Sequence, residues 1–475
     1  MKSKSIPIYA LVAFLLLVSA VVVFPVNIVT LGLMLAIGLY VFTQPKVGIA
    51  FLIMYYPVRP FLIEMNDSLK LLGDIITFFM LAYVVWSGRR EFRSLFKLHW
   101  FEWTFILFIV VGSVSALLTG VSIGSIIIEM RAFMITFLLF YIVRRLDVSK
   151  QDILMYMHIV VAMAVFLSFH GLLEKLTLRQ YLLPQSWSAM ELAPTNRIRV
   201  YGLIGNPNVL AYFLGIAIMM AFYLLTVYKT KKAHILLYVC LVLFSATFLL
   251  TFSRGTTITF VVAAIIYIVL TKKYKLVVPI LSVVVLGAAL ITYPVTQTAN
   301  YFEKHHYFSV KEKVNKENEG KKRFKNAFSK EELHLSSQDG RLYLIQVGLE
   351  IFKDHPIIGT GFGTFGDSAA VANSSPIYKQ YGITYNIYSD NQYIQIIAQT
   401  GVAGVLLFGS FLIGLALFLW KSRTVPGAYL WLALLLGTYP AGAYYNIWED
   451  KTFTSLFFIG LAIIASYKKW MKPTV

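Results

Sequence analysis

NVLAYFLGIAIMMAFYLLTVY, residues 208–228, is followed by the basic linker KTKKA (229–233) and then by HILLYVCLVLFSATFLLTF (234–252). Each flanking segment has the length and apolar content of a membrane-spanning helix, which needs roughly 20 mostly apolar residues. With this pair included, the same pattern occurs fourteen times along the chain. The candidate spans lie near 6–23, 26–42, 48–63, 71–87, 103–119, 125–143, 153–173, 208–228, 234–252, 256–271, 276–293, 393–420, 427–443 and 452–467.

The repeated apolar segments predict an all-α polytopic membrane protein. Several are short, and the segment 48–63 is interrupted by Pro57, Arg59 and Pro60, so we predict about 12–14 transmembrane helices. The basic N-terminus leads directly into the first apolar stretch without a small-residue cleavage site. This predicts a retained first span rather than a removed signal peptide.

The composition excludes a soluble enzyme and a disordered chain. Of 475 residues, 58% are hydrophobic and 14% charged, and the mean hydropathy is +0.71. A soluble globular protein has about 45–50% apolar and about 25% charged residues. The single cysteine, Cys240, lies in an apolar run, which excludes disulfides and thiolate metal sites.

The net charge of +19, from 42 Lys and Arg against 23 Asp and Glu, indicates orientation rather than a nucleic-acid partner. If the N-terminus is cytoplasmic, the loops on that side hold 21 of the 42 basic residues, and the short outer loops hold almost none. Basic residues in short loops favour the cytoplasmic side. We therefore predict a multi-pass protein of the cytoplasmic membrane with both termini in the cytoplasm.

Two longer segments, about 174–207 and 294–390, then lie outside. This predicts N-terminal transmembrane helices over 1–293, a large extracytoplasmic loop with short helices over 294–390, and C-terminal transmembrane helices over 391–475. The loop contains Lys321-Lys322-Arg323 among mixed charges. Two interpretations are open for these charges, a solvated helical face and a polyanion-binding patch.

The unusual polar residues of the outer side form a short series of motifs. They are Arg197 and Arg199 before YGLIGNPN (201–208), Ser253-Arg254-Gly255, Asp339-Gly340-Arg341, GTGFGTFG (359–366) and Ser389-Asp390-Asn391-Gln392-Tyr393. The stretch from Leu342 to Phe352 is typical of an amphipathic helix. It should stop at Asp354-His355-Pro356, because proline disfavours helix in the residue before it.

Each motif also has an ordinary structural interpretation. Arg254 either anchors a helix end among lipid headgroups or faces a polar cavity, because arginine between two spans is costly elsewhere. Arg341 suits an ordinary surface position as well as a substrate-binding or catalytic site. Asp390 has the residue type of a helix N-cap, and Asn206 and Asn208 suit turn and cap positions.

The glycine run contains Gly361-x-Gly363-x-x-Gly366, formally a dinucleotide-binding pattern. That pattern needs a preceding strand and a following helix. Here it follows a predicted helix on the side away from cytoplasmic nucleotides, so a nucleotide site is rejected. We predict a tight loop at the membrane surface, with Phe362 and Phe365 against lipid or a neighbouring span.

Three ionisable residues, Asp74, Glu129 and Arg131, fall inside predicted spans. Such groups suggest function because their burial is expensive. A proton or ion path and a structural role near the span ends are both open. Since no two histidines have metal-ligand spacing on one helix, no metal site is expected.

Taken in order, these motifs resemble the O-antigen ligase and polymerase superfamily of bacterial surface-polysaccharide enzymes. The matching elements are RVYGLIGNPN (199–208), Ser253-Arg254-Gly255, Gly340-Arg341, DHPIIGTGFGTF (354–365), Asp390-Asn391-Gln392-Tyr393 and QTGVAG (399–404). Within the superfamily the chain is most similar to TuaE-like teichuronic acid polymerases.

The resemblance implies an integral-membrane glycosyltransferase with a GT-C-like fold that acts outside the cytoplasm. Its donor would be a glycan on undecaprenyl diphosphate, and a glycan or envelope acceptor hydroxyl would displace the lipid diphosphate with inversion. No metal, nucleotide sugar or other cofactor is expected. Other polysaccharide-assembly proteins are possible partners.

In this scheme the predicted catalytic residues are Arg254, Arg341 and Asp390. The two arginines would stabilise the diphosphate leaving group, since guanidinium is always charged and matches phosphate geometry. Asp390 would be the general base. Substrate binding is predicted for Arg199, Asn206, Asn208 and Asn391.

Asp390-Asn391 departs from the His-Asn of many ligases. An unshifted aspartate, with a pKa of about 3.9, is a weak base, so Asp390 is either the base of a carboxylate variant or an orienting residue. The departure favours a polymerase of lipid-linked repeat units. The alternatives are a ligase that moves a finished glycan to an envelope acceptor, and a polysaccharide transporter or flippase.

Overall fold

The computed structural model describes residues 7–190, 192, 194–308 and 340–470. Within these ranges every regular element is helical, which confirms the predicted all-α class. Each of the fourteen apolar segments predicted from the sequence forms a helix. The chain is therefore a multi-pass membrane protein.

Ten helices of the described part are long and apolar enough to cross a bilayer. They are Pro45–Met65, Asp67–Leu95, Trp100–Leu118, Ile123–Val143, Lys150–Leu176, Pro207–Val227, Lys231–Leu250, Arg254–Thr271, Tyr274–Lys304 and Gln392–Lys421. Four further apolar helices are shorter, namely Ile8–Val23, Asn27–Thr43, Ala428–Ala441 and Lys451–Tyr467. The hydrocarbon core is about 30 Å thick and a helix rises about 1.5 Å per residue, so a span needs about 20 residues. Ten of the fourteen apolar helices are thus long enough to span, against the 12–14 predicted from the sequence.

The prolines of the third apolar segment are accommodated without ending it. The segment consists of Pro45–Tyr55, a 3₁₀ turn over Tyr56–Val58, and Arg59–Met65. Pro57 lies in the 3₁₀ turn, and Pro60 occupies the first turn of the last helix. Both positions suit proline, because the first N–H groups of a helix have no partner within it.

The segments between the apolar helices contain shorter elements. Phe92–Leu95, Gln185–Ser188, Pro194–Arg197 and Ser368–Asn373 are single-turn or two-turn helices. The predicted amphipathic helix is confirmed as Arg341–Asp354, which buries Leu344, Val347 and Ile351 at helical spacing. It ends two residues before Pro356, as the sequence predicts.

The described residues divide into two compact units. The first is drawn from 1–87, 139–260 and 265–323, and the second from 88–138, 261–264 and 324–475. The division at residues 293 and 390 concerns membrane sidedness and stays a prediction. Lys321-Lys322-Arg323 lies outside the described residues.

Buried polar contacts join helices of the first unit that are distant in sequence. The Asn66 side-chain amide donates to Thr30 Oγ1 at 3.0 Å and to the carbonyl of Val21 at 3.3 Å. The Lys46 ammonium contacts Asp152 Oδ2 at 2.9 Å, and the Asp152 side chain is fully buried. Polar groups buried in an apolar bundle need such partners, so these contacts fix how the helices pair.

A cluster of aromatic rings fills the second unit. Its members are Phe105, Phe108, Phe133, Phe137, Phe362, Phe408, Phe411, Trp448 and Phe458. Phe362 lies edge-on to Phe108 at 5.6 Å between ring centroids and stacks on Phe133 at 5.9 Å. The glycine-rich loop that carries Phe362 is thus part of the helix core.

That loop, 359–366, confirms the prediction of a tight turn and settles what its aromatic residues contact. Phe362 and Phe365 are both 0% exposed, so they pack against neighbouring helices rather than lipid. Gly361 has φ +94°, and a Cβ there would lie 1.9 Å from the Ala116 backbone nitrogen. Only glycine permits this approach of the loop to the helix Trp100–Leu118.

We predict that Gly361→Ala lowers the free energy of unfolding more than Gly382→Ala. Gly382 also has a positive φ, +65°, but nothing lies within 4 Å of its added Cβ. Both substitutions incur the left-handed backbone cost of about 1–2 kcal/mol, and only the first adds an overpacking cost of about 1–3 kcal/mol. Thermal unfolding of the detergent-solubilised variants measures the difference, and equal midpoints would contradict the close packing.

Candidate active site

In the first unit, a buried carboxylate anchors the loop that carries the predicted residues 199–208. Glu174, at the end of the helix Lys150–Leu176, is 1% exposed. It accepts hydrogen bonds from the backbone N–H of Tyr201 at 3.1 Å and of Gly202 at 2.6 Å. Arg179 Nη1 contacts the same carboxylate at 2.6 Å. The carboxylate of Glu174 therefore holds the backbone of this loop at Tyr201 and Gly202.

Arg199 and Asn208 lie together and hold the turn before Arg254. Arg199 donates from Nε to the carbonyl of Thr251 at 2.8 Å and from Nη2 to Asn208 Oδ1 at 2.6 Å. The Ser253 hydroxyl donates to the same Asn208 oxygen at 2.8 Å. One amide oxygen thus joins the predicted arginine motif to the Ser253-Arg254-Gly255 motif.

The turn between the helices Lys231–Leu250 and Arg254–Thr271 is as abrupt as the sequence predicts. Phe252 is left-handed at φ +49°, and Arg254, which is half-buried, is the first residue of the second helix. Asn206 caps the helix Pro207–Val227, accepting the N–H groups of residues 208 and 209. The capping interpretation of Asn206 is therefore confirmed, and its substrate contact stays a prediction.

In the second unit, the structure brings Arg341 and Asp390 together. Arg341 is the first residue of the helix Arg341–Asp354. Its Nη2 lies 3.5 Å from Asp390 Oδ2 and 3.4 Å from the carbonyl of Tyr444. The two side chains are 48% and 41% exposed. This ion pair is long and its side chains are about half exposed, so breaking it for a bound molecule costs only about 0–1 kcal/mol.

Asp390 occupies a strained and well-held position. It is left-handed at φ +48°, a region that non-glycine residues seldom occupy and that Asp tolerates better than most. The Ser389 hydroxyl is bonded to Asn446 Oδ1 at 3.1 Å and to the Asn391 carbonyl at 3.2 Å. Such conformations persist only where the surroundings fix them, and they cluster at functional sites.

The cap of the helix Gln392–Lys421 is Asn391, so the interpretation of Asp390 as the N-cap is wrong. Asn391 Oδ1 accepts the N–H groups of Tyr393 at 3.1 Å and Ile394 at 3.2 Å. The sequence offered two adjacent cap-type residues, and the chain uses the second. The Asp390 carboxylate instead lies 3.5 Å from Arg341 Nη2.

Sequence reasoning missed a polar face at the start of this helix. Gln392, Gln395 and Gln399 are all 0–1% exposed. Gln395 Nε2 donates to Glu129 Oε1 at 3.4 Å, and Gln399 Nε2 donates to the Asp367 carboxylate. The spacing i, i+3, i+7 places three amides on one helix face, and this pattern inside an apolar span was the available signal.

Asp74 and Glu129, the acidic residues predicted to lie inside spans, are both buried. Glu129, 0% exposed, faces Gln395 in the second unit. Asp74 is buried beside Tyr56 in the first unit. Glu129 therefore belongs to a polar network next to the Asp390 turn, which favours a role in supporting that turn.

Two carboxyls outside the spans, Asp367 and Glu449, complete the network. Burial, together with the Asp367 charge, raises the pKa of Glu449 to about 8. Burial also raises the pKa of Asp367, against the N–H groups of Ala370 and Gly363 that favour its ionised form. In the part of the chain that the structure describes, no group of three His, Cys, Asp or Glu side chains is arranged to hold a metal ion.

We expect Glu174→Ala to destabilise the first unit strongly, because it removes the buried carboxylate that accepts from Arg179 and from two backbone N–H groups. Loss of one partner of a buried pair costs about 3–5 kcal/mol. Asp67→Ala is the matched control, since it breaks an ion pair of the same 2.6 Å length whose side chains are 46% and 73% exposed. That control should cost about 0–1 kcal/mol. Thermal unfolding compares them, and similar losses would refute the anchoring role.

The comparison with known families agrees with the sequence resemblance. Residues 239–409 match the family model described as O-antigen ligase, which covers just over a third of the chain. The matched segment includes Arg254, Arg341, Asp390 and Asn391, and confirms the resemblance to the O-antigen ligase and polymerase superfamily over that length. No curated protein matches the chain.

Proposed function

We propose that this protein, whose residues 239–409 match the O-antigen ligase family, is a membrane glycosyltransferase that polymerises undecaprenyl-diphosphate-linked repeat units. The transfer would take place on the outer face of the bacterial cytoplasmic membrane and build a cell-surface polysaccharide such as teichuronic acid. One observation carries the proposal, the half-exposed Arg341–Asp390 pair inside the matched segment.

The reaction joins an acceptor hydroxyl to the anomeric carbon of the donor sugar. The new C–O bond forms on the face opposite the bond to the lipid diphosphate, which breaks as the diphosphate leaves, so the configuration inverts. Negative charge develops on the departing diphosphate. Stabilising charge where it develops is usually the largest catalytic term, and an arginine supplies it without a metal.

Arg341 suits this task because its present contacts are weak. Both of its hydrogen bonds are at the long end, 3.5 Å to Asp390 and 3.4 Å to Tyr444. A diphosphate offers shorter, charge-assisted bonds to the same guanidinium. In the proposed step Arg341 binds the leaving group, and the Asp390 carboxylate accepts the proton of the acceptor hydroxyl.

Arg254 has a second proposed role at the leaving group, supported by its motif and its place within the matched segment. Arg199, Asn208 and Ser253 would act through it, because their hydrogen bonds fix the turn at which its helix begins. Asn391 would orient Asp390 by capping the adjacent helix.

A ligase is the second candidate, and the description of the matching family favours it. A ligase would move a finished glycan from undecaprenyl diphosphate to an envelope acceptor through the same attack and the same leaving group. The two candidates therefore differ in acceptor rather than in the chemistry at Arg341 and Asp390.

We expect Arg341→Ala and Asp390→Ala to abolish most transfer by the protein reconstituted with lipid-linked repeat units. Loss of a general base costs about 10²–10⁴-fold, and loss of one group that stabilises developing charge costs about 10²–10³-fold. Lys353→Ala is the control, because it removes an exposed positive charge from the same helix. It should leave transfer unchanged.

The products of the same assay separate the candidates. A polymerase lengthens the glycan on its lipid, whereas a ligase leaves its length unchanged and releases it from undecaprenol onto the acceptor. If both alanine variants extend or transfer glycan as well as wild type, the assigned chemistry is wrong.

We also expect the proposed orientation to be visible by cysteine labelling in a Cys240→Ser background. Tyr385→Cys and Lys229→Cys both replace exposed residues. A membrane-impermeant maleimide should label Tyr385→Cys in intact cells and Lys229→Cys only after permeabilisation, because the basic linker at 229–233 favours the cytoplasm. The opposite pattern would invert the proposed sidedness.

A further inference from the structure

The segment that joins the last two apolar helices borders the Asp390 turn of the second unit. This connector, residues 442–450, lies between the helices Ala428–Ala441 and Lys451–Tyr467. It is outside the segment 239–409 that matches the O-antigen ligase family, and the chemistry proposed above gives it no role. Four alternate residues of the connector are nevertheless hydrogen-bonded to the candidate site and its supports, namely Gly442, Tyr444, Asn446 and Trp448.

Three of these four residues make their contacts through backbone groups. The carbonyl of Gly442 accepts the Gln392 N–H at 2.7 Å, and the Trp448 N–H donates to Gln392 Oε1 at 3.0 Å. The carbonyl of Tyr444 lies 3.4 Å from Arg341 Nη2. Asn446 differs, because it contacts the turn through its side chain, so a substitution there changes the contact directly.

The Asn446 amide uses both of its ends. Asn446 is 0% exposed. Its Oδ1 accepts from the Ser389 hydroxyl at 3.1 Å, and its Nδ2 donates to the carbonyl of Gly366 at 3.2 Å. The same Gly366 carbonyl accepts the backbone N–H of Ser389 at 3.0 Å. Ser389 is thus held at its hydroxyl by Asn446 and at its N–H by the acceptor that Asn446 also binds.

The Ser389 hydroxyl in turn bridges the backbone across Asp390. Its Oγ accepts the Asn391 N–H at 3.3 Å and lies 3.2 Å from the Asn391 carbonyl. Asp390, between the two, is left-handed at φ +48°. A non-glycine residue keeps such a conformation only where its surroundings fix it. Asn446 therefore sets the direction of the hydroxyl that closes the turn around Asp390.

We propose that Asn446 is a positioning residue for glycan transfer, which acts through Ser389 to aim the Asp390 carboxylate at the acceptor hydroxyl. The inference rests on the proposed role of Asp390 as the general base. Without the Asn446 amide, the Ser389 hydroxyl loses an acceptor and the turn relaxes from its left-handed conformation. The carboxylate then leaves hydrogen-bond reach of the acceptor hydroxyl, which a general base requires.

Asn446→Ala in the reconstituted transfer assay tests this in two backgrounds. In the otherwise wild-type protein, kcat should fall about 10–10²-fold, the cost of a small misplacement of a catalytic group. The ratio kcat/KM should fall by the same factor, because proton transfer to Asp390 takes place only in the transition state. In an Asp390→Ala background the same substitution should cause no further loss, since no carboxylate remains to be aimed. A merely structural role would lower transfer by the same factor in both backgrounds, and that result would overturn the inference.

Asn66→Ala is the matched control for the loss of a buried amide. Asn66 is 5% exposed and its Nδ2 donates within the first unit to Thr30 and Val21. Its substitution should lower the thermal unfolding midpoint and leave the kcat of the folded protein unchanged. If Asn446→Ala reduces kcat no more than Asn66→Ala does, Asn446 has no positioning role. Should Asn446→Ala not fold, Ser389→Ala removes the other partner of the same bond, and the same losses are expected of it.

A second measurement does not depend on transfer. Backbone N–H groups held in hydrogen bonds exchange with solvent deuterium only when the structure opens locally. Asn446→Ala should speed exchange at the N–H groups of Ser389 and Asn391, whose acceptors belong to the turn that Asn446 holds. Wild-type transfer by Asp390→Ala would overturn the proposed function and with it the catalytic part of the inference. Unchanged exchange in Asn446→Ala would overturn the inference alone.

Discussion

The start of the helix Gln392–Lys421 is the constraint on which the second unit depends. In its first two turns, three buried glutamines each hold a different part of the chain. Gln392 binds the backbone of Trp448, Gln395 binds Glu129, and Gln399 binds the carbonyl of Phe365 and the Asp367 carboxylate. Amides can donate and accept at once, so one helix face satisfies acids and backbone groups that would otherwise be buried at a cost of several kcal/mol. These bonds hold the start of the helix, and the surface turn at Asp390 directly precedes it.

The glycine-rich loop 359–366 also holds the turn at Asp390. Gly366 has φ +68°, and an added Cβ would lie 2.5 Å from Ser389 Cβ, while its carbonyl accepts the N–H of Ser389 at 3.0 Å. The loop can approach this closely only without side chains. Ser389 directly precedes Asp390, the proposed base. The loop that places Phe362 in the aromatic cluster is therefore hydrogen-bonded to the residue next to that base. A change in the loop would therefore alter the position of Asp390 without touching substrate.

The sequence predicts the helices well and their contacts poorly, for a physical reason. An apolar run of about 20 residues has few alternatives in a membrane, so all fourteen segments could be located, and the amphipathic helix from Arg341 follows from local periodicity. The Asn391 cap was missed because Asp390 beside it suits the same position. The contact of Glu129 with Gln395 joins residues 266 positions apart, and no local pattern encodes it. The glutamine spacing predicts a polar face, but which acids meet that face depends on the tertiary fold.

Arg199 and Arg341 differ in how readily they can bind a substrate. An arginine that binds a diphosphate must first give up its existing hydrogen bonds. Arg199 makes two short ones, at 2.8 Å to the carbonyl of Thr251 and 2.6 Å to Asn208, and their loss would release the turn before Arg254. Arg341 makes two long ones at a half-exposed surface, and an exposed pair is worth only about 0–1 kcal/mol. The sequence predicts a leaving-group role for Arg341 and substrate binding for Arg199. Their present bonds assign Arg199 to holding the fold of the first unit and leave Arg341 able to exchange its partners for a ligand.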